Sequence, residues 1–553
     1  MSEQKLSANE GIKTRSNFLR GTITEGLANE ITGALAPDDT QVTKFHGFYQ
    51  QDDRDIRSER KEQKLEPLHT FMLRARVPGG VATTKQWLTI NQIADELTMS
   101  GSIRLTTRQT FQYHGILKGD VRPVIQRMHQ VMLDSIAACG DVNRNVLATS
   151  NPMQSEAHTQ VHSWAQRISE YLLPNTRAYH EIWIDNEKVS SSEIEDEPIY
   201  GPTYLPRKFK TAIVVPPHND VDVYTNDLGF IAILDEGKLT GFNVVAGGGM
   251  GATHGEPDTY PRLASELGFI TPDQTLQVAE AILTTQRDFG NRESRKHARL
   301  KYTVDRMGVA AFQTEVEARS GVKFAPFVPV VFTQQGDRLG WVEGFNGRFH
   351  LTLFIENGRI LDYPNRLLKT GLLEIAKVHT GDFRMTANQN IIVADVEPKN
   401  RRGIEDLARQ YGLYGQSLTV LRENSMACVA LPTCALAMSE AERYLPTLIS
   451  HYEALQTKHG IDKQAIVVRM TGCPNGCGRP YVAEIGFIGK AAGRYNMHIG
   501  GDGLGTRLNT LYRENITEAS ILEETDYLFG RYAAEGLPSE RFGDFVHRVG
   551  IIG

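Results

Sequence analysis

From residue 72 the apolar positions alternate, change period and alternate again. MLRARV (72–77) reads as a strand. QWLTINQIADEL (86–97) carries its apolar residues at helical spacing, and SIRLTTRQTFQYHGI (102–116) returns to period two. The same succession recurs over 350–396 as HLTLFI, GLLEIAKVH and DFRMTANQNIIVADV. Between them lie a strand, FKTAIVVPP (209–217), a turn, GGGMG (247–251), and a helix, TLQVAEAILTTQRDF (275–289). Beyond 416 come strands AIVVRM and YVAEIGFIG and closing helices. Helices and strands mix without a strict βαβ rhythm, which predicts an α+β fold. Residues 1–70 read as an extended arm, since QQDDRDIRSERKEQK (50–64) is too charged for a core.

The recurrence extends to individual residues. GSIRLTTRQ (101–109) lies over GDFRMTANQ (381–389), pairing Arg104 with Arg384, Thr106 with Thr386 and Gln109 with Gln389. The same offset sets Pro152 over Pro432, and NRNVLATSNP (143–152) over ENSMACVALP (423–432). Further on, FNVVAGGGMG (242–251) resembles YNMHIGGDGLG (495–505). Short glycine turns can match by chance, but these matches keep their order. A duplicated chain is expected to hold its site between pseudo-symmetric halves, one half turned toward cofactor ligation and the other toward substrate. With 553 residues, the length suits a duplicated unit or three to four domains.

Composition adds exclusions. Hydrophobic residues make up 40% and charged residues 23%, which excludes disorder, collagen and coiled coil for the bulk of the chain. A net charge of −6 argues against a nucleic-acid partner held by bulk charge. The polar N-terminus lacks an apolar signal core, and no apolar run is long enough to span a membrane, so a cytoplasmic setting is expected. Five cysteines are no disulfide framework. Four of them, Cys428, Cys434, Cys473 and Cys477, share one 50-residue window as C-x5-C and C-x3-C. Gly472, Pro474, Gly476 and Gly478 make the second pair a tight loop whose N–H groups can approach a ligand. Four thiolates suit a structural zinc or an iron–sulfur cluster, and x5 is wide for zinc. Buried unliganded cysteines are the bland alternative. Cys139, alone in DSIAACGDV, reads as a small helix residue.

Cations concentrate near strand ends: Arg74 and Arg76, Arg104 and Arg108, Arg144, then Arg207, Lys208 and Lys210 in YLPRKFKT. NRESRKHARLK (291–301) adds five more. Strand alternation places Lys208 and Lys210 on one face with Phe209 opposite, and Arg104, Thr106 and Arg108 on another. Single cations are usually solvated, but several sets in a chain of net negative charge point to a strongly anionic ligand. Gln112 and His114 alternate on one of these strands. There His114 is either a structural histidine or one that faces a polar cofactor. Neither glycine-rich turn has dinucleotide-binding spacing and there is no P-loop, so electrons must come from elsewhere.

RENSMACVALPTC, TGCPNGCGRP, FHGFYQQDDRDIR, NRNVLATSNP and YLPRKFKT together resemble the haemoprotein subunits of assimilatory sulfite reductases, within the sulfite/nitrite reductase family. The likeness runs from about residue 17 to 551. It implies a pseudo-twofold, three-domain α+β fold: an N-terminal arm (1–70), a duplicated ferredoxin-like domain (71–136 with 341–415), a first sirohaem- and substrate-binding half (137–340) and a second half with the cluster (416–553). It implies a 4Fe-4S cluster on Cys428, Cys434, Cys473 and Cys477, with Cys477 also the proximal ligand of sirohaem. Arg104, Thr106, Arg108, Gln112, His114, Arg207 and Asn475 match positions near the macrocycle. Arg74, Arg144, Lys208 and Lys210 match those around bound sulfite.

The implied activity is six-electron reduction of sulfite to sulfide in sulfate assimilation and cysteine biosynthesis, with a sirohaem nitrite reductase as the alternative. The four distal cations would neutralise the dianion, and Lys208 or Lys210 would supply protons. The implied donor is a flavoprotein alpha subunit carrying FAD, FMN and the NADPH site, or else ferredoxin. The arm is a candidate docking segment, or it wraps its own domains.

Overall fold

The structure, a computed structural model, describes residues 6–150, 155–175 and 197–552, with the backbone of 183–184 and 187–188. Pro152, one of the residues matched in the repeat, lies outside the described residues.

Among the described residues, four five-stranded sheets carry the duplication. The first runs Phe48–Asp52, His69–Arg74, Phe111–Ile116, Ile103–Leu105, Arg359–Ile360. The second of this pair runs Gly340–Glu343, Phe349–Leu353, Ile391–Val396, Asp382–Met385, Val81–Thr83. Each takes its last edge strand from the other half of the chain. One apolar core serves both, with Trp87 and Phe383 stacked at 5.0 Å between their centroids. Exchanged edges and a common core make the two copies one body.

The other two sheets share a topology. Leu147–Ala148, Thr211–Val214 and Leu228–Asp235 run parallel, followed by antiparallel Lys238–Ala246 and Ser265–Ile270. Ser425–Ala427, Val468–Thr471 and Ile485–Ala491 run parallel, followed by antiparallel Arg494–Ile499 and Thr510–Ile516. Each sheet has its own main core.

SIRLTTRQTFQYHGI is two strands and a turn, where the alternation predicts one. Thr106 N–H donates to Thr110 O (2.8 Å) and Gln109 turns left-handed at φ +51°. The second copy repeats this, with Thr386 N–H on Asn390 O (2.9 Å) and Gln389 at φ +71°. Both glutamines then reach the first strand of a parallel sheet. The Gln109 amide exchanges bonds with Ala148 N–H and C=O (2.8 and 2.7 Å), and Gln389 donates to Ala427 O (2.9 Å). Arg104, Thr106 and Arg108 therefore do not share a strand face: the first lies on the strand and the other two on the turn.

The arm is less extended than its charge suggests. It forms helices Ala8–Arg15 and Ile23–Ala28, and Phe48–Asp52 is paired into the first sheet, so a boundary at 70 cuts that sheet. Glu10 and Lys13 are buried in an ion cluster. Lys13 and Arg292 each reach Glu10 at 2.6 Å, and Arg295 reaches Asp141 at 2.8 Å. This clasps the N-terminal helix to the body. Arg57–Glu62, in the charged stretch, buries nothing.

Across the junction, Glu442 receives Arg104 (2.8 Å) and Arg359 (2.7 Å). Burial pushes the Glu442 carboxyl up, but the two guanidinium groups outweigh it and hold it at about 2. A depressed carboxylate stabilises the fold above its unfolded range, a contribution lost as pH falls toward 2. Glu442→Ala leaves Arg104, 1% exposed, without its counter-ion. We expect a loss of about 3 kcal/mol, read from urea unfolding. An unchanged midpoint would show that the pair contributes nothing.

Candidate functional site

The two cysteine pairs sit at the carboxyl ends of adjacent parallel strands. Ser425–Ala427 runs directly into Cys428, and Val468–Thr471 is followed by Gly472 and Cys473. Parallel neighbours end on the same edge of a sheet, which is how residues more than 40 positions apart meet there, and that edge is the usual ligand side of such sheets. Gly472 N–H donates to Cys428 Sγ (3.3 Å), the Thr471 hydroxyl reaches the same sulfur (3.5 Å), and Asn475 Nδ2 reaches Cys473 Sγ (3.5 Å). Gly476, at φ +64°, passes so close to Met250 O that an added Cβ would stand 2.8 Å away, so the cluster loop packs directly on the GGGMG turn. Ala252 N–H on Pro474 O (2.8 Å) closes the same contact.

Burial, with neighbouring Cys477, pushes the Cys428 thiol up to about 12. Burial first, and then neighbouring cysteines, takes Cys434 and Cys473 to about 11. Such thiols ionise at neutral pH only when a metal takes the charge. Four thiols whose sulfurs accept bonds from Gly472 N–H and the Asn475 amide are a donor set that fits an iron–sulfur cluster, whose ligand sulfurs accept such bonds. Cys473 is buried, Cys428 and Cys434 are half-buried, and Cys477 is exposed.

Near the cluster loop lies a group of cations, of which Lys210 is close enough to Cys477 to feel its charge. Phe209 is fully buried and bridges Asn143 in parallel register, with Arg144 N–H on Phe209 O (2.9 Å), so Lys208, Lys210 and Arg144 stand together. Burial, then Arg207, Arg144, Lys210 and Arg299, drives Lys208 well below the ordinary lysine range. Burial, with Arg108 and Arg299, takes Lys210 to about 7, while Cys477 and Asp227 pull the other way. Arg74 holds Cys139 Sγ (3.2 Å) and Gln112 Oε1 (2.9 Å), and lies beside Tyr49, which also faces Arg144. Among the described residues, the side chains of Arg207, Lys208 and Lys210 have no hydrogen-bonding or ionic partner. Arg74 Nε and Arg108 Nε are buried and unsatisfied. Unpaired interior cations are costly unless an anion compensates them. A polycarboxylate macrocycle and a dianionic substrate fit this surplus.

Comparison with known proteins agrees. Residues 163–324 match the nitrite and sulphite reductase 4Fe-4S domain, and residues 63–131 and 344–412 each match the ferredoxin-like half domain of nitrite and sulfite reductases. The chain belongs to the nitrite and sulphite reductase family. It is 62% identical, over all 553 residues and 98% of the relative, to proteins of Shewanella putrefaciens, Shewanella oneidensis and Shewanella baltica, each named NADPH sulfite reductase hemoprotein beta-component. In fold it resembles the NirA protein of Mycobacterium tuberculosis, with TM-score 0.79, 24% identity, and 99% and 97% of the two chains covered. The segment matching the 4Fe-4S domain, 163–324, contains no cysteine. In this family member the four clustered cysteines lie in the other half.

The residues expected to line the family's cofactor fall into two groups. Arg207 stands near Arg144, Arg295 and Arg299, and Asn475 and Cys477 lie in the cluster loop. Arg104, by contrast, is committed to Glu442, to Ala427 O (3.0 Å) and to Leu105 O, which makes it a tie between halves. Thr106 accepts from Arg108 N–H (3.1 Å) and shapes the turn. Arg108 spans Asn226 Oδ1 (2.6 Å), Thr211 O (3.1 Å) and Asn145 O. Gln112 and His114 contact each other at 2.8 Å. In the basic run 291–301 every cation has an internal partner: Arg292 with Glu10, Arg295 with Asp141, Lys296 with Glu256, Arg299 with Asp227, and Lys301 with the carbonyls of Gly249, Gly251 and Tyr260.

Sequence reasoning missed several residues. Cys139 lies in a loop, not a helix, against Arg74. Lys44 and Tyr49 come from the arm, where only charge was noticed; Lys44 stands 5.6 Å over the Tyr49 ring. Arg479, in TGCPNGCGRP, touches both hairpin turns through Thr107 O (3.2 Å) and Ala387 O (2.8 Å). With Arg469, it also meets Asp222 (2.6 and 2.7 Å). Its place in a cysteine motif was the only available signal.

Proposed function

We propose that this chain is the haemoprotein component of an NADPH-linked sulfite reductase, reducing sulfite to sulfide. Relatives 62% identical to it over its whole length carry that name. The observation that carries the reading is a group of mutually repelling cations, Arg207, Lys208 and Lys210 with Arg144, beside the unsatisfied Arg74 Nε, one of which, Lys210, lies near enough to Cys477 to feel its charge.

Cys428, Cys434, Cys473 and Cys477 would hold a 4Fe-4S cluster, Cys477 would also hold sirohaem, and Arg207, whose side chain has no partner among the described residues, would meet sirohaem carboxylates. When bound, these groups would relay the six electrons from the donor and supply the iron at which sulfite is reduced. The protein supplies charge and protons. Arg74 and Arg144 offer N–H donors to the sulfite oxygens, and Arg's fixed charge suits holding. Lys208 and Lys210 hold protons at Nζ in surroundings that favour release, which suits donation to departing oxygen. Writing the product as HS⁻, seven protons are consumed and three waters leave.

A separate flavoprotein component is the implied donor, with FAD, FMN and the NADPH site as its expected equipment. Among the described residues, no helix is long and apolar enough to cross a membrane.

The direct test is the visible spectrum of purified protein, with iron and acid-labile sulfide analysis and turnover of sulfite and nitrite with an artificial donor. A coloured protein with cluster iron plus one haem iron, turning over sulfite, is the expected result. A colourless protein containing zinc would end the proposal.

A further inference from the structure

Arg74 is held by more than its immediate neighbours. Its Nη2 donates to Gln112 Oε1 (2.9 Å). Gln112 Nε2 meets His114 Nε2 (2.8 Å), and His114 Nδ1 meets Gln51 Oε1 (3.2 Å). The direction of every bond in this row is forced by chemistry. A guanidinium can only donate, so Gln112 must turn its oxygen to Arg74 and its NH2 to His114. His114 Nε2 must then accept, which puts its proton on Nδ1, where the Gln51 oxygen receives it. Only the neutral Nδ1–H imidazole satisfies all three contacts.

We propose that Gln51, His114 and Gln112 form a one-directional relay that aims Arg74 at the substrate oxyanion, with Gln51 and His114 as positioning residues. The proposal rests on the reading of Arg74 as a sulfite-binding residue. Gln112 and His114 are both 5% exposed, so water cannot readily replace a lost partner. Strand pairing supplies rigidity: Gln112 is in register with Arg74, and Gln51 comes from the adjoining strand Phe48–Asp52. Protonated His114 would become a donor at Nε2. Gln112 would then have to turn its oxygen to the ring and its NH2 to Arg74, two donors facing each other, and Arg74 would lose its support. The surroundings guard against this. Burial, together with Arg359, Arg104 and Arg74, keeps His114 well below the ordinary histidine range against the single opposing charge of Glu442. The arm strand thus contributes to the site through Gln51, which its charged flanks conceal in the sequence.

The test uses the cofactor-loaded protein in four forms: wild type, Gln51→Glu, Gln51→Met and Arg74→Ala. Two quantities are followed between pH 6 and pH 8.5: KM and kcat for sulfite, and the calorimetric dissociation constant for inorganic phosphate as an unreactive oxyanion. A carboxylate at 51 favours the imidazolium, so Gln51→Glu should bind both anions about tenfold more weakly at pH 6 and approach wild type at pH 8.5. Gln51→Met loses the acceptor without adding charge. It should raise KM about fivefold at every pH while kcat changes less than about twofold. If both variants at 51 match wild type throughout while Arg74→Ala weakens anion binding, the relay is overturned and the role of Arg74 stands. If Arg74→Ala leaves both anions bound as in wild type, the sulfite-binding reading of Arg74 fails, and the relay with it.

Discussion

Replacing Cys477 with serine is expected to leave a folded chain that no longer reduces sulfite. Cys477 is the exposed cysteine of the cluster loop, so its sulfur contributes little to packing. Its charge also acts on Lys210. A serine hydroxyl is a poor substitute for a thiolate bridging two metal groups. Outer-sphere changes at metal sites cost about 10–100-fold, and losing a bridging ligand should exceed that. Turnover should fall by more than about a hundredfold, with the visible spectrum altered and iron per chain reduced. Circular dichroism should stay that of wild type, because the loop is still held by Gly476 on Met250 and by Arg479 on Asp222. An unchanged spectrum and rate would remove Cys477 from the centre.

The second large effect is at the lysine pair. Lys208→Ala and Lys210→Ala should each lower kcat for sulfite by about a hundredfold, the scale of a lost general acid. The absorption of the bound cofactors should be retained, since the four cysteines and Arg207 remain. Lys210 adds a pH signature. Held at about 7, it loses its charge as pH rises through neutrality, so anion affinity should fall above pH 7. Sulfite titrates in the same range, so the informative quantity is the part of the pH dependence missing from Lys210→Met. Near-normal kcat in both alanine variants would assign the proton supply elsewhere.

Much of this arrangement was legible before any coordinates. The clustered cysteines, the repeat and the basic strand ends are local or periodic signals. The repeat proved deeper than the matched letters, since Gln109 and Gln389 share a left-handed turn and a grip on equivalent strands. The hairpin was missed because TTRQT keeps alternating across the turn without glycine or proline to mark it. Arg104, expected near the macrocycle, pairs with Glu442, because a guanidinium answers a cofactor carboxylate and a protein carboxylate equally well. Its actual partner lies 338 positions away. The five cations of 291–301 looked like ligand-binding charge, yet four are paired with carboxylates and Lys301 is held by backbone carbonyls, partners that no local pattern reveals.

By itself the sequence determined which chemistry is possible: four thiolates at cluster spacing, a duplicated α+β framework, and more interior-bound cations than a net charge of −6 suggests. Residue type and periodicity suffice for that, because ligand chemistry and strand alternation are properties of short segments. Only the tertiary structure decided which cations remain unpaired, which cysteine stays exposed, and that the arm sets Tyr49 beside Arg74 and Gln51 against His114. Those outcomes depend on which charge finds a counter-charge across hundreds of residues, and in a low-dielectric interior that pairing separates a structural tie from a waiting ligand site.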